Sequence, residues 1–297
     1  MGIMAAYGLM ILSILISAAK NLLSKKEKDS FNGTANLFKV NFLVGALGGV
    51  VLLVLGTDFS KFTDARFLAL SLVYGASIML SQITYLQAVR YGSLSVCSLI
   101  YCCGFLIPTI ATPILYVDEP MSIGNIIGIV LLVASLIPVT GRLQKFDNLK
   151  WIPFILLALF FSGLLGLIQK IYAHTFSDGQ RDVVFLAFAF VAVFAALGMI
   201  ATHKKAPVTW VKGETPFMRV RYILVPCAYA ACVIFNNVVN MILADPIPAA
   251  VFFAGFNGSV IVLTALGSAL LLKEKLTKTQ YIGIAVALAA INLISVT

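Results

Sequence analysis

The chain reads as an all-α polytopic membrane protein, with ten transmembrane helices arranged as a 5+5 inverted-topology repeat. Three observations predict this class. Of its 297 residues, 61% are hydrophobic and 11% charged, with a mean hydropathy of +1.01; a soluble domain carries about 25% charged residues. Ten apolar runs reach the length of about 20 residues that a bilayer crossing needs. Two stretches 155 positions apart are versions of one sequence: Asp118 to Ile137, DEPMSIGNIIGIVLLVASLI, and Lys273 to Asn292, KEKLTKTQYIGIAVALAAIN. Glu119/Glu274, Ile127/Ile282, Gly128/Gly283, Ile129/Ile284 and Ala134/Ala289 are identical between them.

In order, the runs occupy 3–23, 34–56, 66–89, 93–117, 122–140, 151–172, 183–202, 220–243, 247–272 and 278–296. The first follows Met1 without a basic segment or a small-residue cleavage site, which predicts a retained span rather than a signal peptide. The third ends at Arg90-Tyr91-Gly92, the fourth at Asp118-Glu119-Pro120 and the eighth at Asp245-Pro246. Turns this short join antiparallel neighbours. Trp151 opens the sixth run and Trp210 precedes the eighth, at the depth where amphipathic rings prefer the interface. The repeated stretches close the fifth and tenth runs, so residues 1–140 form one repeat, 141–150 a linker and 151–297 the second. Five spans per copy is an odd number, and the second copy is therefore inserted upside down.

The net charge of +9 sits in short connections between apolar runs rather than on a nucleic-acid-binding face. Lys25, Lys26, Arg90, Arg142, Lys150, Lys204, Arg219 and Lys273 belong to one side, and only Lys61, Arg66 and Arg181 to the other. The positive-inside rule makes the first side cytoplasmic and both termini extracytoplasmic, and a multi-pass protein of the plasma (inner) membrane is expected. The five cysteines all lie in apolar runs, and the two histidines, His174 and His203, lie in loops. Neither set has metal-ligand spacing, and no Gly-rich phosphate loop or Ser/His/Asp arrangement occurs. No enzyme, metal site or cofactor is expected.

Polar residues inside spans carry the functional signal, because polar groups in hydrocarbon face a cavity or another helix. Applying the 155-residue offset pairs Ser81, Gln82 and Tyr85 of the third run with Asn236, Asn237 and Asn240 of the eighth. Each set lies on one helical face at near-midplane depth, where transporter sites are built. Interhelical hydrogen bonding is the alternative reading. Tyr101 and Cys102 of the fourth run pair with Phe256 and Asn257 of the ninth; aromatic rings and an amide suit a planar or partly apolar solute, or an ordinary core. Lys39, beside Asn36 and Asn41, lies about 7–8 Å into the second run. It either binds an anionic group or snorkels to the interface. Lys20 and Lys170 lie near span ends, where snorkelling is the expected role, and Asn21 and Gln169 are weaker cavity candidates. The spacings Gly124-x-x-x-Gly128 and Thr279-x-x-x-Gly283 predict close packing of the fifth and tenth helices, within the protein or a dimer.

The repeated Glu, polar turn and Q/N-x-I-G-I helix, with the third-to-fourth turn Leu86 to Val96, LQAVRYGSLSV, resembles the EamA-type drug/metabolite transporter superfamily over the whole chain. The resemblance implies transport of amino acids, nucleotide sugars, drugs or metabolites through a central cavity between the third, fourth, eighth and ninth helices. Small multidrug relatives bind cations and protons at an intramembrane Glu, whereas the twelve acids here fall in or beside loops. Anionic, zwitterionic or neutral solutes are therefore favoured, and Glu119 and Glu274 are expected to cap the helices that follow them.

The expected function is secondary transport of a small polar metabolite by alternating access. Lys39, Gln82, Tyr85, Tyr101, Asn236, Asn237, Asn240 and Asn257 are the candidate substrate-binding residues. A flippase for a lipid-linked precursor and a channel-like facilitator are the alternatives. The expected partners are the metabolite, the lipid bilayer and a coupling proton or ion, with no nucleic acid, in a monomer or weak homodimer.

Overall fold

The computed structural model describes residues 2–26, 34–91, 97, 100–119, 121–140, 149–176, 178–202, 216–271 and 277–296. Glu274, Arg142, Lys204, Lys273 and Trp210 lie outside the described residues. No strand occurs among the described residues. The helices are α1 (Ile3–Lys26), α2 (Thr34–Val54), α3 (Ala65–Tyr91), α4 (Ile100–Leu115), α5 (Ile123–Thr140), α6 (Trp151–Thr175), α7 (Gln180–Thr202), α8 (Pro216–Leu243), α9 (Ala250–Leu271) and α10 (Lys278–Val296). Eight of them are long and apolar enough to cross a membrane, while the described parts of α4 and α5 form shorter apolar helices. Large apolar side chains cover the outside, among them Ile11, Val54, Ile114, Leu197 and Ile200. An outside of this kind needs lipid rather than water around it, and the chain is a multi-pass, all-α membrane protein.

Helix boundaries follow the local chemistry. Asp58 ends the connection after α2 by accepting the Ser60 N–H (2.9 Å), which starts a short 3-10 turn, Phe59–Thr63. Gly56 and Gly179 turn the chain with φ of 87° and 81°, in the left-handed region that a residue with a Cβ rarely adopts. The first turn of α9, Ala250–Gly255, is π-helical.

The most extensive helix contacts all join the first half of the chain to the second: α2 with α7, α3 with α6 and α7, α5 with α10, α1 with α8 and α9, α2 with α8, and α4 with α6. Moving every helix number by five converts this set into itself. The α3–α6 pair becomes α8–α1, α3–α7 becomes α8–α2, and α4–α6 becomes α9–α1. The α2–α7 and α5–α10 pairs map onto themselves. Small residues let these backbones meet. A Cβ on Gly75 of α3 would stand 2.5 Å from the Ala187 carbonyl oxygen of α7. One on Gly128 of α5 would stand 2.5 Å from Ile294 Cγ1 of α10, so Gly128 lets these two helices of one molecule approach closely.

Side-chain bonds fix which ends lie together. Asn125 Nδ2 at the start of α5 donates to the Ile294 carbonyl near the end of α10 (3.1 Å). Ala6 and Met10 of α1 share a buried cluster with Ile247, Ala249 and Ile294. Both chain ends and the connections after α4 and α8 therefore share one face, called the Glu119 face below. The connections after α2 and α6 join it: Asp58 N–H donates to Asp182 Oδ1 (3.0 Å), and Lys61 pairs with Asp178.

Candidate functional site

The site residues lie where α1, α3, α4, α6 and α8 meet, in two polar groups at different depths. The first group, toward the Glu119 face, is closed by hydrogen bonds. The Tyr74 hydroxyl of α3 donates to Asn237 Oδ1 of α8 (2.9 Å) and accepts from Gln169 Nε2 of α6 (2.8 Å). Asn237 returns its own Nδ2–H to the Val233 carbonyl one turn back (2.9 Å). Tyr74 is fully buried. Nearby, Ser13 Oγ of α1 donates to Asn236 Oδ1 (2.8 Å), with Asn240 Oδ1 as a second acceptor at 3.1 Å. Asn236 Nδ2 is buried without a partner.

The second group is aromatic and partly exposed. The rings of Tyr85 (α3) and Tyr101 (α4) are tilted at 4.7 Å. The Tyr101 hydroxyl contacts Ser81 and Ser162. Tyr229 of α8 lies within electrostatic reach of both tyrosines and of Cys232. Lys20 Nζ of α1 stands 6.0 Å from the Tyr229 ring centroid, with the Cys232 and Cys102 thiols near it. Gln82, Tyr85, Tyr101, Tyr229 and Lys20 all keep partial exposure inside the bundle.

The remaining candidates stand apart from these groups. Lys39 is 2% exposed, with Nζ 4.1 Å from the Tyr222 ring centroid in a cation–π contact. Tyr222 in turn donates to Asn36 Oδ1 (3.3 Å). Tyr222 precedes Tyr229 by seven residues, about 10 Å along α8, so Lys39 marks a separate position. Asn257 gives its Nδ2–H to the Phe253 carbonyl of its own helix (2.8 Å), above a core of Phe252, Phe253 and Phe256.

Two expectations need correction. Glu119 does not cap the helix that follows it: its Oε2 accepts the Ala249 N–H (2.8 Å) at the start of α9, in the other half of the chain. Lys170 does not snorkel. It is 0% exposed, and its Nζ donates to Glu119 Oε1 (2.6 Å) and to the Ile247 carbonyl (2.9 Å). His174 Nε2 also meets Glu119 Oε1 (3.0 Å), and its ring stacks on Tyr116 at 3.7 Å. The pair was hidden from sequence reasoning because its partners lie 51 residues apart and face each other only after α4 and α6 pack. Two cavities, of about 150 and 270 Å³, flank Glu119, one against Thr109, Asn125 and Pro248 and the other against His174, Asp245 and Pro246. They lie at the Glu119 face, away from Gln82 and Lys20.

Tyr74 and Tyr229 escaped the sequence reading although they sit 155 positions apart, and so does their pairing with Gln82 and Asn237 at the same offset. Tyrosine in an apolar run looks like ordinary core, which concealed them. Ser13 carried no signal at all.

No family model matches the chain, and no curated protein matches it. Twenty-eight chains among solved structures do match. One crystal structure superposes with a TM-score of 0.74 over 98% of this chain and 98% of its own, at 13% sequence identity, and this likeness concerns the fold.

Proposed function

We propose that the chain is a secondary transporter of the drug/metabolite transporter type. In this reading it has ten spans in a 5+5 inverted repeat and moves a small polar metabolite by alternating access. The observation that carries the reading is the helix contact set that returns to itself when each helix number moves by five. Inverted-repeat transporters work by exchanging the conformations of their two halves about such an arrangement. Two further observations support it. Both chain ends share a face, as an even number of spans requires. The polar groups also differ in their contacts: Tyr74, Gln169 and Asn237 are joined by hydrogen bonds toward the Glu119 face, whereas Tyr85 and Tyr101 meet ring to ring at the other depth.

In this reading Gln82, Tyr85, Tyr101, Asn236, Asn237 and Asn240 contact the solute. Lys39 supplies charge nearer the cytoplasmic end, and Asn257 lines the α9 side. The test is uptake of a mixture of labelled amino acids and sugar phosphates into proteoliposomes, with conductance recorded in parallel. The wild type is expected to take up at least one solute without channel-like conductance. Asn237→Ala and Gln82→Ala are expected to lower that uptake about tenfold while remaining monodisperse, as loss of one hydrogen bond to the solute implies. Full uptake by both variants would remove these residues from the site.

A further inference from the structure

The fourth helix changes its winding partway along. Within α4, Cys103–Phe105 is a 3-10 turn, and the Leu106 N–H reaches the Cys103 carbonyl, three residues back rather than four. The cause lies at Pro108, which has no N–H to give the Gly104 carbonyl one α-helical turn earlier. Pro113 likewise leaves the Thr109 carbonyl without its helical donor. Thr109 Oγ1 also donates back to the Phe105 carbonyl (2.7 Å), a bond of the kind that bends helices. The α4 and α6 backbones touch at this turn. A Cβ on Gly104 would stand 2.8 Å from the Leu159 carbonyl oxygen, and one on Gly163 would stand 2.6 Å from the Gly104 carbonyl oxygen. At the 155-residue offset Gly104, Pro108 and Pro113 correspond to Ser259, Leu263 and Ser268, and α9 is regular α-helix across these positions, Phe256–Leu271. The interrupted winding therefore belongs to the first half alone.

Beyond the turn, the stretch Leu106–Leu115 is held lightly along its length and firmly at its tip. Its buried side chains are Pro108, Thr109 and Thr112, small groups with little apolar surface to lose on leaving α6. The Thr112 hydroxyl is buried without a partner. Ile110, Ile114 and Leu115 face outward. At the tip, Tyr116 stacks on His174, and the Glu119 carboxylate gathers Lys170 and His174 of α6 and the Ala249 N–H of the other half. Bonds to an ionised group are the strong ones, so this corner carries most of the hold. The cavity of about 150 Å³ lies against Thr109 and Pro113, on the side toward Pro248 and Ala249. The segment has a hinge at one end, a latch at the other and room beside it.

We propose that residues 106–119 form a gate arm, hinged at Cys103–Phe105, which swings when Glu119 releases its donors. The arm covers α6 next to the buried polar group: a Cβ on Gly166 would stand 2.7 Å from Pro108 Cγ, and Gln169, which holds Tyr74, follows within one turn. Its movement connects the Glu119 face to Tyr74, Gln169 and Asn237. Ten residues of helix make the arm about 15 Å long, and a bend of about 20° carries its tip about 5 Å. As a transport gate the arm rests on the transport reading above, but the hinge motion itself does not.

The test uses the purified full chain in detergent. A ketone-bearing amino acid replaces Val117 at the tip and either Val54 or Val296, all three exposed, and is coupled to a hydroxylamine nitroxide that leaves the native cysteines unlabelled. Double electron–electron resonance then reads the distance in each pair. The latched wild type is expected to populate one main distance. Glu119→Gln is expected to move population to a second distance, displaced by about 5 Å in at least one pair. Lys170→Met, which leaves Glu119 two donors, is expected to populate the same second distance to a smaller share, and serves where Glu119→Gln fails to purify. Pro108→Ala restores a donor for the Gly104 carbonyl, and added to either latch variant it is expected to return the population to the wild-type distance. The proposal is overturned if neither latch variant moves population, or if Pro108→Ala leaves the second distance unchanged. A second distance that obeys these variants in a protein without flux in proteoliposomes would leave the hinge standing and remove the transport reading.

Discussion

Breaking the Lys170–Glu119 pair should cost far more than an ordinary ion pair, and the cost should depend on which partner is removed. Lys170 has no exposure, whereas Glu119 retains 15% and holds three donors, Lys170 Nζ, His174 Nε2 and the Ala249 N–H. Glu119→Gln leaves a fully buried ammonium with neutral acceptors in place of its carboxylate, the Ile247 carbonyl and the amide oxygen of the substituted side chain. Stranding one partner of a buried pair costs about 3–5 kcal/mol. Lys170→Met removes the buried charge itself and leaves Glu119 with two remaining donors and some solvent, so the loss is about 1–2 kcal/mol, near that of a charge-assisted hydrogen bond. The double variant should resemble Lys170→Met, giving a coupling between the sites as large as the Glu119→Gln loss itself, about 3–5 kcal/mol. For a chain of this size about 2–4 °C of melting temperature accompanies each kcal/mol. Thermal unfolding in one detergent should then place Glu119→Gln on the order of 10 °C below wild type, with Lys170→Met and the double variant only a few degrees below. Additive losses, or a larger loss for Lys170→Met than for Glu119→Gln, would refute the reasoning.

Two further outcomes follow from the packing, beside the uptake and distance experiments above. Tyr74→Phe keeps the ring and removes the hydroxyl that joins Asn237 to Gln169. It should cost about 1–3 kcal/mol for the amides left unsatisfied, and cysteine labelling along the α3–α8 seam from the Glu119 side should rise. Gly75→Leu sets a side chain against the Ala187 carbonyl, where a Cβ alone would stand at 2.5 Å. That overpacking should cost about 3 kcal/mol or more, read as lost monodisperse protein on size-exclusion chromatography, whereas Gly49→Leu, with open space around its Cβ, should fold normally.

The sequence made the helices legible and the side-chain pairing only partly so. Apolar runs have the length and continuity that a bilayer demands, so α1 to α10 could be placed from hydropathy alone. The 155-residue offset located Gln82, Asn236 and Asn237 because amides stand out in hydrocarbon. It did not single out Tyr74 and Tyr229, whose rings blend with the core and whose hydroxyls matter only once Gln169 and Lys20 arrive from other helices. Lys20 and Lys170 look alike in sequence, each close to a span end. Packing separates them: Lys170 meets a carboxylate from the α4 side, and Lys20 turns inward beside Cys232 and Tyr229. The role of Glu119 was misread because a helix cap is normally local, and here the capped helix belongs to the other half.

The interlocked contacts between halves have a consequence for how the chain is made. A ribosome delivers α1 to α5 before any of their main packing partners exists, since α1, α2, α3 and α5 find those partners only in α6 to α10. Until then Ser13, Tyr74 and Glu119 wait without Asn236, Asn237 or Lys170. The nascent first half is a loose set of inserted helices rather than a finished domain, with polar groups that insertion machinery must shield from lipid. Release of the chain after residue 140 should yield a product cleared by membrane proteases, while the two halves expressed together as separate chains can still complete each other.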